Sequence, residues 1–403
     1  MPIKKQFKNG IYILASRCIS KIGDVLFDFT NNSFLSDISP NSLKLVGLYQ
    51  ITENLIAVIF NLFGGVIADQ FRRKKIIIIT DILSGLFCII ISFVSNERWL
   101  VYAIVIVNIL ISLLDSFSGP TYKAFTKEIV TKNNISKLNS YMETGNTLVK
   151  ITIPIIAVFL YKYIGVNGSL ILDGLSFLIS AFIILFISPI SEISKANNSF
   201  SFSIVIKDLT SGFKYLLNHK EIFLIVILSA LVNFFLAAYN LLLPYSNQMF
   251  PEFAIDIYGS FLTAEAIGGI IGALIISITK IDISLQKMMI LLDVAGVSLS
   301  IGPIIYEILS NYLVVILIPL SFNLFLTMFN IQIFSYTQRN VDEKFLGRVF
   351  GIIFSVALLF MPLGTFVFSC ILKPANLFNF SVIGISVVIL SIIFSVILKY
   401  HHN

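Results

Sequence analysis

The chain has 403 residues, 57% of them hydrophobic and 12% charged, where soluble domains carry about 25% charged residues. That composition excludes water as the main solvent. The net charge of +6 is scattered between apolar runs, so it reads as membrane topology and excludes a nucleic-acid footprint.

Apolar stretches of about twenty residues recur along the chain, each long enough to cross a hydrocarbon core of about 30 Å as a helix. In order they cover residues 9–32, 43–68, 76–95, 99–120, 139–163 and 168–188, then 221–247, 256–279, 287–308, 312–336, 346–371 and 377–399. A polar connection near 191–220, containing Ser-Lys-Ala-Asn-Asn-Ser, separates the two sets. The predicted fold is an all-α integral membrane protein of twelve transmembrane helices in two pseudo-symmetric six-helix bundles, 1–190 and 221–403, joined by a cytoplasmic linker. Lys4, Lys5 and Lys8 precede the first run with no small-residue cleavage site behind it, which predicts a retained first helix. With both termini on the cytoplasmic side, most of the 28 Lys and Arg residues fall in inner loops and tails. Trp99, Tyr102, Tyr161, Tyr163, Tyr306 and Tyr312 then lie near the outer ends, as an interfacial belt requires.

Cysteines and histidines carry no site in this reading. Cys18, Cys88 and Cys370 lie in apolar runs and predict no disulfide framework. His219 falls in a polar loop and His401 and His402 in the tail, leaving no metal-ligand pair within the membrane.

Ionisable side chains inside the spans are the strongest functional signal, because each costs about 3 kcal/mol or more unless paired, hydrated or neutralised. Arg17, Lys21, Asp24 and Asp28 are spaced four, three and four residues apart, so all four share one helical face. Asp24, Asp28, Glu53 and Glu265 are the candidates for carrying a proton. Arg17, Lys21 and Lys150 are candidates for lining a substrate cavity, together with the amides Asn108, Asn233, Asn240, Asn323 and Asn330. Each has a plainer alternative: Lys21 pairs locally with Asp24, Arg17 reaches back to the interface, and the amides bond helix to helix. Glu265 and Lys150 are a candidate interhelical pair. Glu143 and Asp173 fall near span ends, where a solvated position is expected.

Between spans two and three stands Gly65-Val66-Ile67-Ala68-Asp69-Gln70-Phe71-Arg72-Arg73-Lys74-Lys75. This resembles the signature loop of the major facilitator superfamily, with Arg72 where the pattern usually has a second glycine. Ile19-Ser20-Lys21-Ile22-Gly23-Asp24, Gly119-Pro120 and Asp342-Glu343-Lys344-Phe345-Leu346-Gly347-Arg348-Val349-Phe350 are similar to the macrolide-efflux and siderophore-exporter branch of drug:proton antiporters. A weak internal repeat agrees: Gly64-Gly65-Val66-Ile67 and Thr80-Asp81-Ile82-Leu83-Ser84-Gly85 have counterparts in Gly268-Gly269-Ile270-Ile271 and Leu292-Asp293-Val294-Ala295-Gly296.

The resemblance implies a secondary transporter that is not an enzyme, needs no cofactor beyond a proton gradient, and works as a monomer in a bacterial-type cell membrane. Its partners would be a small-molecule substrate, protons and the lipid bilayer, with no nucleic acid. It implies a cytoplasmic gate of Gly65, Asp69, Arg72, Arg73 and Asp115, with Asp69 near the N-terminal end of span eleven and Arg72 or Arg73 on an acid near span four. Loop anchoring to anionic lipid is the plainer role for the same basic residues. The expected activity is proton-coupled export by alternating access. Two cargo classes stay open, an amphipathic drug such as a macrolide and a polar metallophore. A sensor or immunity module on the same fold, or a lipid or solute importer, are the rival functions.

Overall fold

The computed structural model describes residues 3–38, 42–189, 202–279 and 284–402, with the backbone alone at some positions inside helices. Residues 190–201 of the predicted bundle end and linker lie outside the described residues.

Every regular element among the described residues is helical. The first set is α1 (Ile3–Asp37), α2 (Leu43–Gln70), α3 (Arg73–Ser92), α4 (Glu97–Ile129) and α5 (Lys132–Leu185). After residue 201 come α6 (Phe202–Asn218), α7 (Lys220–Leu242), the short α8 (Ser246–Met249), α9 (Ile257–Thr279), α10 (Leu285–Leu309), α11 (Tyr312–Asn340), α12 (Glu343–Ile371) and α13 (Asn379–His402). Among the described residues ten of these helices contain stretches long and apolar enough to cross a membrane. α1 is not one of them, because Arg17, Lys21, Asp24 and Asp28 interrupt its apolar run.

Local chemistry sets the ends. Asn96 caps α4 by accepting from the backbone N–H groups of Arg98 and Trp99 at 3.0 and 3.4 Å, and Asn311 caps α11 by accepting from Leu313 N at 2.8 Å, each satisfying orphan first-turn donors. α5 is two helical arms joined at Gly165, whose φ of 66° is open to glycine and costly for other residues. The sequence reading breaks the chain at the same place. Where it expects only a polar linker up to 220, the structure has α6. Phe202, Val205, Leu209, Phe213 and Leu216 recur at helical spacing there, and α6 packs against α7 and α12.

Contacts divide the chain into two compact units, Met1–Ile38 with Thr52–Phe200 and Ser39–Ile51 with Ser201–Asn403. α2 is therefore shared. Its opening turns belong to the second unit, where Ser42 Oγ bonds the Tyr245 hydroxyl at 2.8 Å and Gln50 Nε2 donates to the Asn240 carbonyl at 3.3 Å.

Within the first unit α5 packs along both α1 and α3; in the second, α10 packs on α13 and α9 on α11. The repeat seen in the sequence has a packing basis. A Cβ at Gly85 on α3 would stand 2.7 Å from the Gly174 carbonyl oxygen of α5, and one at Gly296 on α10 would stand 2.8 Å from the Gly384 carbonyl oxygen of α13. Each unit thus uses a glycine pair to bring corresponding helices into backbone contact, the small-residue packing expected where no hydrophobic force drives helices together. Large apolar side chains such as Ile79, Ile90, Phe182, Ile301 and Ile389 point outward, as a lipid solvent allows.

Candidate functional site

The first unit gathers its membrane charges around α1. Lys21 Nζ sits 3.1 Å from Asp24 Oδ2, with 24% and 12% of the two side chains exposed. Asp24, Asp28 and Asp115 are the acids whose charges act on Lys21. Glu53 on α2 feels Asp28, Lys21, Asp115 and Asp24. Asp115 on α4 feels Asp24, Lys21 and Arg17. Lys21 thus makes its ion pair with Asp24, and the carboxyl groups of Asp28, Glu53 and Asp115, from three helices, lie within range of its charge. Lys150 on α5 extends the group, with Lys21 and Glu143 as its charged neighbours.

One turn toward the start of α1, the Arg17 guanidinium stacks over the Tyr122 ring at 5.0 Å from its centroid. This replaces the interfacial position that the sequence left open for Arg17. Below that ring lies a network that sequence reasoning missed. Asp81 Oδ2 accepts from Ser180 Oγ at 2.6 Å and from the Tyr122 hydroxyl at 3.3 Å. Ser16 Oγ bonds both Ser180 Oγ and Tyr122 Oη, at 2.8 and 3.0 Å. All four side chains are buried, so α1, α3, α4 and α5 are tied by one polar knot beside the charged face.

Arg73 makes the expected pair with an acid of span four: its Nη1 pairs with Glu128 Oε1 of α4 at 2.8 Å, and its Nε donates to the Ala68 carbonyl at 3.0 Å. Two other expectations are corrected. Asp115 is thirteen residues from Glu128 along α4, about 20 Å at helical rise, so it is a member of the α1 charge group and not the acid held by the basic loop. Asp173 is not solvated: it is 0% exposed and accepts from Cys88 Sγ at 3.0 Å. Gly23 lets α1 close over it, since a Cβ there would stand 2.5 Å from Asp173 Oδ1. Asn108 is buried and its amide donates to Thr52 Oγ1 at 3.5 Å, the helix-to-helix role. The surroundings of Gly65 and the side chain of Asp69 lie outside what the structure describes, and Arg72 is exposed.

In the second unit Glu265 on α9 faces the Tyr239 hydroxyl of α7. Lys150 belongs to the first unit, where Lys21 and Glu143 are its charged neighbours. Asn233 Nδ2 donates back to the Ser229 carbonyl at 2.8 Å. Asn240 and Asn323 are half-buried and Asn330 is exposed. The Asp342–Arg348 segment opens α12 against α6: the Asp342 N–H donates to the Tyr215 hydroxyl at 3.1 Å, and the Tyr215 ring is stacked between His219 and Phe345.

The sequence profile of the Major Facilitator Superfamily matches residues 14–365. The chain belongs to the major facilitator superfamily. It is a multi-pass membrane transporter, not an enzyme, and its relatives fall in the efflux and siderophore branch. Macrolide efflux protein A of Enterococcus faecalis is 24% identical over 315 residues, spanning 74% of this chain and 92% of the relative. The Staphyloferrin A transporter of Staphylococcus aureus is 22% identical over 392 residues, spanning 95% and 94%. In fold, the chain resembles the crystal structure of a bacterial homologue of the iron transporter ferroportin in its inward-facing state, with a TM-score of 0.73 at 16% identity over 98% of this chain and 99% of that one.

Proposed function

We propose that this superfamily member exports a small molecule in exchange for protons, by alternating access of two six-helix halves in a bacterial cell membrane. The twelve-helix count follows when α1, which has 35 residues, and the two arms of α5 are added to the remaining long apolar helices. Both termini and the basic α2–α3 loop then lie in the cytoplasm, and the chain acts as a monomer.

The observation that carries this reading is the Lys21–Asp24 pair with the carboxyl groups of Asp28, Glu53 and Asp115 around it. Four carboxyl groups face Lys21, with Arg17 and Lys150 at the edge of the group, so the acids outnumber the bases by one in a low-dielectric region, and a surplus of that kind is neutralised by a proton or by a cationic cargo. Neutralisation by one excludes the other, which is the competition an antiporter needs. An amphipathic amine of the macrolide kind is the cargo class that fits this charge balance. A zwitterionic metallophore is the second reading, favoured by Lys150 beside Lys21. Purified protein in proteoliposomes, with lumenal pH followed across a panel of macrolides, cationic dyes and metal-chelating metabolites, tests it. Substrate-dependent proton movement for one class supports the proposal, and cargo movement indifferent to the proton gradient overturns it.

A further inference from the structure

Away from the charged face, the first unit has a cavity of about 550 Å³ where the start of α1 meets the α4–α5 turn. It changes character along its length. At one end Gln6 Oε1 accepts from Thr131 N, Thr131 Oγ1 and Asn134 Nδ2 at 3.3, 3.1 and 3.2 Å. Those bonds pin α1 to the turn, and the Gln6 amide nitrogen takes no part in them. At the other end, Gly10, Leu14 and Tyr141 form apolar walls. Phe7, Ile11 and Tyr141 are exposed at 71%, 48% and 51%, too much apolar surface to face water beside a membrane boundary.

The charge at the cavity has one sign. Lys137 lines it at the junction with the apolar wall, its ammonium 5.9 Å from the Tyr141 ring centroid. Lys123 and Lys127 are exposed on the last turns of α4 that lead into it. The acid beside them, Glu128, is already bound to Arg73. From Gln6 to Leu14 the groove runs eight residues down α1, about 12 Å at helical rise, so one end sits at headgroup depth and the other reaches acyl chains.

We propose that this groove is a binding site for one anionic phospholipid of the leaflet on the N-terminal side, its phosphate held by Lys137 and the Gln6 amide and one acyl chain lying between Gly10, Leu14 and Tyr141. Basic pockets between helices at a membrane face are suited to such headgroups, and the apolar half of the groove accepts the chain that a free phosphate lacks. The site is separate from the charged face of α1 and stands whether or not protons drive transport.

Native mass spectrometry of the full-length protein in detergent, titrated with phosphatidylglycerol or with phosphatidylcholine of the same chains, tests it. The wild type retains one phosphatidylglycerol at least fivefold more tightly than phosphatidylcholine. Lys137→Glu abolishes that preference. Gly10→Phe, which fills the groove without changing charge, abolishes retention of both lipids; a Cβ at Gly10 meets only Leu138 Cδ1 at 3.8 Å, so the helix accepts a side chain there. Lys287→Glu, at an exposed lysine of the second unit, changes nothing. Equal retention of the two lipids by the wild type, an equal loss in Lys287→Glu, or tighter retention of a cationic amphiphile than of phosphatidylglycerol overturns the proposal.

Discussion

Arg73 and Glu128 stand 2.8 Å apart, and the guanidinium also holds the Ala68 carbonyl. The basic loop between α2 and α3 is thereby fixed to the far end of α4. Both side chains are about nine-tenths buried, so removing either partner strands a charge with little water to receive it.

Glu128→Ala or Arg73→Ala is expected to lower stability by about 3–5 kcal/mol, the cost of breaking a buried pair from one side. Arg73→Met with Glu128→Leu should cost less than the sum of the two single changes, because no uncompensated charge is left. Thermal unfolding of the detergent-solubilised variants measures all three.

The polar knot at Asp81 makes a separate prediction. Ser180→Ala and Tyr122→Phe each remove one donor to a buried carboxyl oxygen and should destabilise by about 1–3 kcal/mol. The double variant should show coupling between the two, since Ser16 bonds both hydroxyls. Tyr122→Phe keeps the ring under Arg17, so a loss confined to Tyr122→Ala would assign the effect to stacking instead of the hydroxyl.

The glycine crossings predict matched behaviour in the two units. Gly85→Leu and Gly296→Leu each force a side chain against a carbonyl oxygen that a Cβ alone would approach to 2.7 and 2.8 Å. Overpacking of this kind costs about 1–3 kcal/mol or more. Both variants should lose thermal stability, while Gly119→Ala, which has open space around its Cβ position, should not; equal tolerance at all three sites would remove the packing basis of the repeat.

Cys88 and Asp173 give a fourth test. Cys88→Ser keeps a donor to Asp173 and should be near neutral, whereas Cys88→Ala removes the thiol donor and should cost about 1–3 kcal/mol. The buried thiol should also react with maleimide far more slowly than exposed Cys370.

The long apolar helices were legible in the sequence because apolar length specifies them in a membrane, α6 was not because its polar residues read as linker, and the break at Gly165 was legible because polar residues and glycines interrupt the run there. The one-face stripe of α1 was legible from spacing. Partners were not. Arg73 and Glu128 are 55 residues apart in sequence, and nothing local to the basic loop selects Glu128 over Asp115. Asp173 looked solvated because it follows a turn, but Gly23 allows α1 to cover it. Asp81 was visible only as the counterpart of Asp293 in the repeat, and that was the available signal: each has a serine of the last helix of its unit beside it, Ser180 and Ser391.

The account rests on the grouping of acids from α1, α2 and α4 around the Lys21–Asp24 pair. Proton flux driven by a cargo gradient, measured across pH in proteoliposomes for wild type, Asp24→Asn, Glu53→Gln and Asp115→Asn, tests it most directly. At least one neutralised acid should abolish cargo-driven proton flux, and the others should shift its pH dependence, while Asp256→Asn, a cap at the start of α9, leaves both intact. Unchanged flux and unchanged pH dependence in all three acid variants would contradict the account.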